Sequence, residues 1–380
     1  MKKIRVQLQN RSYDIVIGRG LLAKVGALIK KVTVGKKVLV VSNHKIAKQI
    51  GLLKPLTTSL KRSGFDVSYH ELRHGDERDK SLISLNTLWN SMVKNKLDRS
   101  SAVVALGGGV TGDVSAFAAS TYMRGIRAVQ IPTTLLAQVD SAIGGKTGID
   151  LPLGKNLVGT FYQPNLVISD LSLIEYLPLS VVRASMAEII KCGVIRDVQL
   201  FELLEKKGKA FADRFAGRSL AKQDLNFLET VVYRSAKIKA LVVERDEHET
   251  KGERMILNYG HTFAHALEGV SGYRLPHGEA VGLGMILAAR LGVLLGITPT
   301  ELENRQFRLI SAMCPSASLK PLIRSYRLSW SALKPYFFRD KKTLQGVVRF
   351  IVPTKLGQVI RLEIKGRDWN LVRSAVESLT

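Results

Sequence analysis

Ser101-Ala102-Val103-Val104-Ala105-Leu106 runs straight into Gly107-Gly108-Gly109-Val110-Thr111-Gly112-Asp113. The first six residues are an apolar run of strand length, and the residues after the glycines, through Phe117 and Tyr122, carry helical spacing. A buried strand that turns through glycines into a helix is a ready anion site. Glycine lets backbone N–H groups approach a phosphate, and the helix N-terminus adds positive potential. The spacing is not the G-x-G-x-x-G of the dinucleotide fingerprint, and alone it is equally compatible with a plain tight turn.

The same texture extends on both sides. Ile4, Val6 and Leu8 alternate as in a strand; Lys37–Val41 and Val67–Glu71 are further strand-like runs; Leu82–Lys94 has helical spacing. Ala128–Ile131 ends at Pro132-Thr133-Thr134, and Val167–Ser169 ends at Asp170. Short β-runs with helices between them predict a parallel sheet of α/β type, with ligands at the carboxyl ends of its strands. Beyond residue 176 the pattern is helical in Leu179–Lys191, Leu200–Phe215, Leu225–Val243, His261–Val270, Gly278–Leu295 and Pro299–Met313, with short strands at Val347–Val352 and Val359–Ile364. The expected organisation is an α/β N-terminal domain, 1–176, followed by a mostly α-helical C-terminal domain, 177–380.

The 380 residues include 57 Lys and Arg against 32 Asp and Glu, a net charge of +25, while a hydrophobic content of 46% excludes disorder by composition. The charge raises the possibility of a nucleic-acid or membrane partner. Residues 1–80 hold 18 basic and 6 acidic side chains but only three aromatic ones, Tyr13, Phe65 and Tyr69, too few for base stacking. Residues 101–180 are nearly neutral, with 4 basic and 5 acidic side chains. A solvated basic surface is the expected reading, with neither nucleic acid nor membrane as partner. Cys192 and Cys314 cannot form a disulfide framework, and a reducing compartment follows. The apolar stretch Ala280–Ile297 is broken by Arg290 and several glycines and reads as a buried helix. No targeting pattern is visible at the start, so a cytoplasmic protein is expected.

Three segments carry chemistry. Asp140, Lys146, Lys155 and Asn156 lie among glycines and small residues in the charge-poor region, which suits an anionic, hydroxylated ligand. Glu188 and Lys191 are three apart and share a helix face; from this segment alone an ordinary surface ion pair is the preferred reading. His261 and His265 stand at i and i+4, and His277 follows twelve residues later, so three of the seven histidines fall within 17 positions. Zinc is commonly held by three His and carboxylate ligands, which makes a metal site with a distant Glu plausible, although a histidine pair on a helix is more often structural. The charged runs Asp246-Glu247-His248-Glu249, with Arg254, and Arg339-Asp340-Lys341-Lys342 are equally compatible with solvated turns.

Read together, GGGVTGD (107–113), YMRG (122–125), IPTTLLAQVDSAIGGKTGID (131–150), PLGKNLVGTFYQP (152–164), AEIIKCG (187–193), LNYGHTFAHALE (257–268), LPHGEAV (275–281) and RDKK (339–342) closely resemble the 3-dehydroquinate synthase family, within the sugar-phosphate cyclases. The resemblance spans residues 4 to 353. It implies cyclisation of 3-deoxy-D-arabino-heptulosonate 7-phosphate to 3-dehydroquinate with loss of phosphate, the second step of the shikimate pathway. NAD acts catalytically, together with one divalent metal, zinc or cobalt. The implied metal ligands are Glu188, His261 and His277. Glu249 and His265 match proton-transfer positions, and Lys146, Lys191, Arg254 and Asn258 are further catalytic groups. The implied substrate contacts are Asp140, Lys146, Lys155, Asn156, Lys191, Lys239, Arg254, Asn258 and Lys342. Arg124 matches a residue that reaches a neighbouring subunit's site, so a homodimer is implied. The nucleotide contacts would be Asn43, Glu77, Lys80, Gly108, Gly109, Asp113, Thr133, Thr134 and Lys155. The chain departs from the family pattern at Asp76, Ala116, Ser185 and Ala264, where glycine is usual, and at Tyr176. The alternatives are another sugar-phosphate cyclase, or a metal-dependent polyol dehydrogenase that would release NADH.

Overall fold

The computed structural model describes residues 1–215, 220–314, 329–338 and 347–378. The chain forms two compact units: Met1–Leu177 with Gly217–His248, and Pro178–Ala216 with Glu249–Thr380.

The first unit contains β1 (Lys2–Val6), β2 (Tyr13–Gly18), α1 (Val25–Ile29), β3 (Lys37–Asn43), α2 (Leu53–Arg62), β4 (Asp66–Leu72), α3 (Leu82–Lys94), β5 (Ala102–Gly107), α4 (Gly109–Thr121), β6 (Arg127–Pro132), the hairpin β7 (Lys146–Leu151) and β8 (Gly154–Phe161), and β9 (Leu166–Asp170). Seven strands form one sheet in the order β1-β2-β9-β6-β5-β3-β4, and all neighbours are parallel except β1 and β2. Every residue of β5 is buried, because helices cover both faces. Ala102, Val104 and Leu106 enter one core with Val25, Ile29, Leu56 and Leu60. Val103 enters the other with Leu85, Leu88, Met92 and Phe117. From β3 the chain proceeds to β4 on one side of the sheet, and from β5 to β6 on the other. The carboxyl ends of β3 and β5, at Asn43 and Gly107, therefore flank the topological switch point. Ser42 Oγ donates to the Leu106 carbonyl at 2.7 Å and ties those two ends together.

The second unit holds α5 (Leu179–Arg196) and α6 (Val198–Arg214). The chain then returns to the first unit with α7 (Lys222–Arg245). It continues in the second with α8 (His261–Val270), α9 (His277–Leu294), α10 (Thr300–Met313), α11 (Trp330–Phe337), the antiparallel pair β10 (Val348–Lys355) and β11 (Gln358–Ile364), and α12 (Trp369–Glu377). α9 is long and apolar enough to cross a membrane, but 72% of it is buried inside the unit, where it is the core helix. Two of its glycines make that possible. A Cβ on Gly278 would fall 1.9 Å from the Ala184 carbonyl oxygen of α5, and one on Gly284 would fall 2.1 Å from the Gly260 carbonyl oxygen before α8.

One expectation needs correction. A single cut between 176 and 177 misplaces α7, which packs against β1 and β2. Glu244 accepts from the Gln7 amide at 2.7 Å, and Asn226 accepts from Arg19 at 2.8 Å. Helical spacing reveals that Phe227, Leu228, Val231 and Val232 share a face, but not which core that face enters. The sequence pattern assigns no element to the glycine- and lysine-rich segment. Residues 146–161 form an antiparallel hairpin whose second strand is exposed almost throughout, so no buried-face alternation marks it.

Candidate functional site

In the second unit, α5 is buried on all sides from Ser185 to Ile195, with Met186, Ile189, Ile190, Val194 and Ile195 in the core. Glu188 and Lys191 are buried with it, each 2% exposed, so the preferred surface ion pair is not observed. Lys191 Nζ lies against Glu188 Oε2. Gly260 takes a left-handed φ of 81° and starts α8, which makes His261 the first helical residue. His277 is the first residue of α9, directly after Pro276. The close approach of Gly278 to Ala184 brings the start of α9 to α5 within one turn of Glu188.

His261 Nε2 lies 3.4 Å and His277 Nε2 3.6 Å from the same Glu188 Oε1. The three ligand atoms all lie within 4.8 Å of one another. Behind the rings, His261 Nδ1 faces the Tyr259 carbonyl at 3.2 Å and His277 Nδ1 faces Glu268 Oε1 at 3.0 Å. Burial alone would raise the Glu188 carboxyl, but Lys191, His261 and His277 hold it well below its ordinary value. Burial lowers His261 well below its usual range, with Lys191 adding to the effect. His277 is also pushed down by burial, yet its bonds and charge pairing with Glu188 and Glu268 carry it to about 10.

A divalent cation fits this set. Both Glu188 oxygens are buried without a hydrogen bond of ordinary geometry, and one Glu with two His is a three-ligand donor set that leaves a position open. Among the described residues no other group of His, Cys, Asp and Glu converges in this way. His265 stays outside the group, with its ring edge-on to His261 at 5.7 Å between centroids. Glu249, at a left-handed φ of 58°, sets its carboxylate 3.6 Å from the buried Arg254 Nε. Arg254 and Asn258 lie on the 3-10 turn Glu253–Asn258. Ser185, in place of a glycine, donates to the Val181 carbonyl within α5. Lys342 lies outside the described residues.

In the first unit Asn43, Gly108, Gly109, Thr133 and Thr134, of the residues expected to contact the nucleotide, lie at the ends of β3, β5 and β6. Gly108 precedes α4 with no side-chain cap, leaving the first-turn amides available to an anion. A Cβ on Gly108 would come 3.2 Å from Thr134, and one on Gly109 would come 3.0 Å from Ser141 Oγ, so the turn is tight against the segment after β6. Thr133 Oγ1 and Ser141 Oγ are buried without a partner, an arrangement that fits a polar ligand beside the glycines. Asn43 packs against Gly75, and its amide oxygen accepts from the Ile46 amide at 3.0 Å.

Lys80 joins this group to the hairpin. Buried Lys80 donates to Asp113 at 2.9 Å and touches the Asn156 amide oxygen. Glu77 lies 4.0 Å from Lys80 and 3.7 Å from Lys155. Burial pushes the Asp113 carboxyl up to about 6, against the pull of Lys80. Asp76 accepts from the Arg78 amide and caps the turn that presents Glu77. Lys239 of α7 donates to Asp140 twice, at 2.7 Å to its carbonyl and 2.6 Å to its carboxylate. Lys146 opens β7 and is exposed. Arg124 is exposed in a turn where Met123, Arg124 and Gly125 have φ of 49°, 66° and 120°.

Sequence reasoning passed over Glu268, although it closes the LNYGHTFAHALE segment. The signal was its position seven residues after His261 and three after His265, on one helix face.

An α/β unit with a glycine-turned helix at its switch point and a helical unit carrying a Glu-His-His group place the chain in a fold class that sugar-phosphate cyclases share with glycerol dehydrogenase. Residues 71–184 match the family described as 3-dehydroquinate synthase N-terminal, and residues 185–343 match 3-dehydroquinate synthase C-terminal. The 3-dehydroquinate synthase of Microcystis aeruginosa is 44% identical over 357 residues, covering 94% of this chain and 93% of that protein. The chain belongs to the 3-dehydroquinate synthase family. Among solved structures, 2-epi-5-epi-valiolone synthase from Streptomyces hygroscopicus, with NAD+ and Zn2+ bound, is 25% identical at a TM-score of 0.83 and covers 98% of both chains. A 2-deoxy-scyllo-inosose synthase complexed with carbaglucose-6-phosphate, NAD+ and Co2+ shares the fold at 23% identity, with a TM-score of 0.83 and 99% of both chains covered.

Proposed function

We propose that the chain converts 3-deoxy-D-arabino-heptulosonate 7-phosphate to 3-dehydroquinate and inorganic phosphate, as a phosphate-eliminating carbon–oxygen lyase of the shikimate pathway. The observation that carries this reading is the convergence of Glu188, His261 and His277. These three residues hold one divalent ion, zinc or cobalt. Asn43, Glu77, Lys80, Gly108, Gly109, Asp113, Thr133, Thr134 and Lys155 hold NAD. NAD held there would supply reversible hydride transfer, and the ion would supply acidification of the substrate hydroxyls.

The chain's own groups do the rest. Elimination breaks the carbon–oxygen bond to phosphate as a proton leaves the neighbouring carbon. Lys146, Lys155, Lys191, Lys239, Arg254 and Lys342 supply cations for the substrate phosphate and carboxylate. Asp140, Asn156 and Asn258 bond its polar groups, and Glu249 and His265 relay protons. The strained, exposed turn at Met123 and Arg124 supports a role for Arg124 toward a second copy in a homodimer, because such backbone persists where function requires it. The reading needs neither nucleic acid nor membrane and suits a cytoplasmic enzyme.

The test supplies the heptulosonate phosphate, NAD and Zn2+ or Co2+ and follows phosphate release. Release without net NADH, abolished in Glu188→Ala, is the expected result. No release from this substrate overturns the proposal. Release from a different sugar phosphate indicates another cyclase, and net NADH from a polyol indicates a dehydrogenase.

A further inference from the structure

His277 is gripped at both nitrogens. Its Nε2 faces Glu188, and its Nδ1 meets Glu268 Oε1 at 3.0 Å. A neutral imidazole carries one proton. An acceptor on Nδ1 keeps that proton there and leaves the Nε2 lone pair directed forward. The two histidines are backed unequally. His261 is 15% exposed and leans on a neutral backbone carbonyl. His277 is 40% exposed and leans on a carboxylate that is itself 15% exposed. The more open ring has fewer packing contacts to stop it turning, so a charged acceptor behind it has more to do. α8 supplies both a ligand and this backing group, since His261 and Glu268 are two turns apart on one face.

We propose that Glu268 is a positioning residue: it sets the tautomer and ring direction of His277 and so tunes the affinity of the site for its divalent ion. The inference rests on the reading of Glu188, His261 and His277 as metal ligands. Full-length protein, freed of metal, is titrated with Zn2+ against a competing chelator, and its visible spectrum is recorded with Co2+. Glu268→Ala is expected to weaken Zn2+ binding by about 10- to 100-fold and to alter the Co2+ bands. Glu268→Gln keeps an acceptor oxygen and should recover part of the affinity, with metal-free unfolding like that of the wild type. If the alanine variant does not fold, the glutamine variant must still bind Zn2+ several-fold more weakly than wild type. Wild-type affinity with an unchanged spectrum in Glu268→Ala, or a glutamine variant as weak as alanine, overturns the proposal. Wild-type protein that binds neither ion overturns the metal reading itself, whereas tight wild-type binding indifferent to Glu268 overturns only this inference.

Discussion

Gly278 packs so tightly on Ala184 that a methyl group added to it would fall 1.9 Å from the Ala184 carbonyl oxygen. In a helix, alanine ordinarily stabilises by about 1 kcal/mol relative to glycine. Here the obstacle is backbone, which cannot turn aside as a side chain can. Gly278→Ala should therefore destabilise by about 3 kcal/mol. It should also lower the bound metal per chain, because α9 cannot move off α5 without taking His277 with it. Thermal unfolding and metal analysis check both effects, and a variant that melts like wild type would refute the packing argument.

Tyr259 separates a packing role from a metal role. Its hydroxyl is buried, bonds Gln306 Oε1 at 2.5 Å and the Met285 carbonyl at 3.1 Å, and burial keeps it neutral by raising its pKa. Only its backbone carbonyl faces His261. Tyr259→Phe should cost about 1–3 kcal/mol of stability through the unpaired partner groups, with Zn2+ affinity nearly unchanged. Denaturant unfolding and metal titration on the same sample decide it, and a large loss of affinity without loss of stability would contradict this assignment.

Asp113 gives a pH signature. Its carboxyl stands at about 6 in the folded chain and near 4 when unfolded. The folded state thus holds the proton more tightly. The contribution of the group is fully present below pH 4 and is lost as pH rises through 6. Asp113→Asn has no such titration. Its stability relative to wild type should rise by roughly 2 kcal/mol between pH 4 and pH 7. Parallel unfolding profiles for the two proteins would exclude the raised value.

Asn156 has φ of 53°, donates its amide to Asp150 Oδ1 at 2.7 Å and touches Lys80 with its side chain. Asparagine tolerates the left-handed region, whereas alanine pays about 1–2 kcal/mol there. Asn156→Ala should be less stable than Asn156→Gly, and both should bind NAD more weakly through the lost contact with Lys80. Calorimetric melting and nucleotide titration test this order, and the reverse order in melting would rule out strain as the cause.

The parallel sheet was legible because β3, β5 and β9 are apolar runs that end at turn residues, and that pattern follows from burial on both faces. The histidine cluster was legible from spacing, but the grouping of Glu188 with His261 and His277 came only from the family motifs, since Glu188 is 73 residues before His261 and no local spacing joins them. The hairpin 146–161 escaped because its exposed second strand leaves no alternation to read. Glu268 escaped because a glutamate on a helix is ordinarily solvated, and its partner His277 lies on the next helix. The basic excess has a structural counterpart: between Asp14 and Asp66 there are eleven Lys and Arg and no acidic residue. Lys24, Lys54, Lys61 and Arg62, on or beside the helices covering one sheet face, are all exposed.

The return of α7 to the first unit has a consequence for how the chain is made. The sheet is complete in sequence at Asp170, but the helix that covers β1 and β2 emerges from the ribosome some fifty residues later, after α5 and α6. During that interval the face built by β1 and β2 has no cover. The first unit therefore cannot finish folding as its strands are synthesised. A fragment stopped at Leu177 would carry the glycine turn and every strand of the sheet and still present an apolar, aggregation-prone flank. Two autonomous pieces cannot be made by a single cut anywhere in this chain.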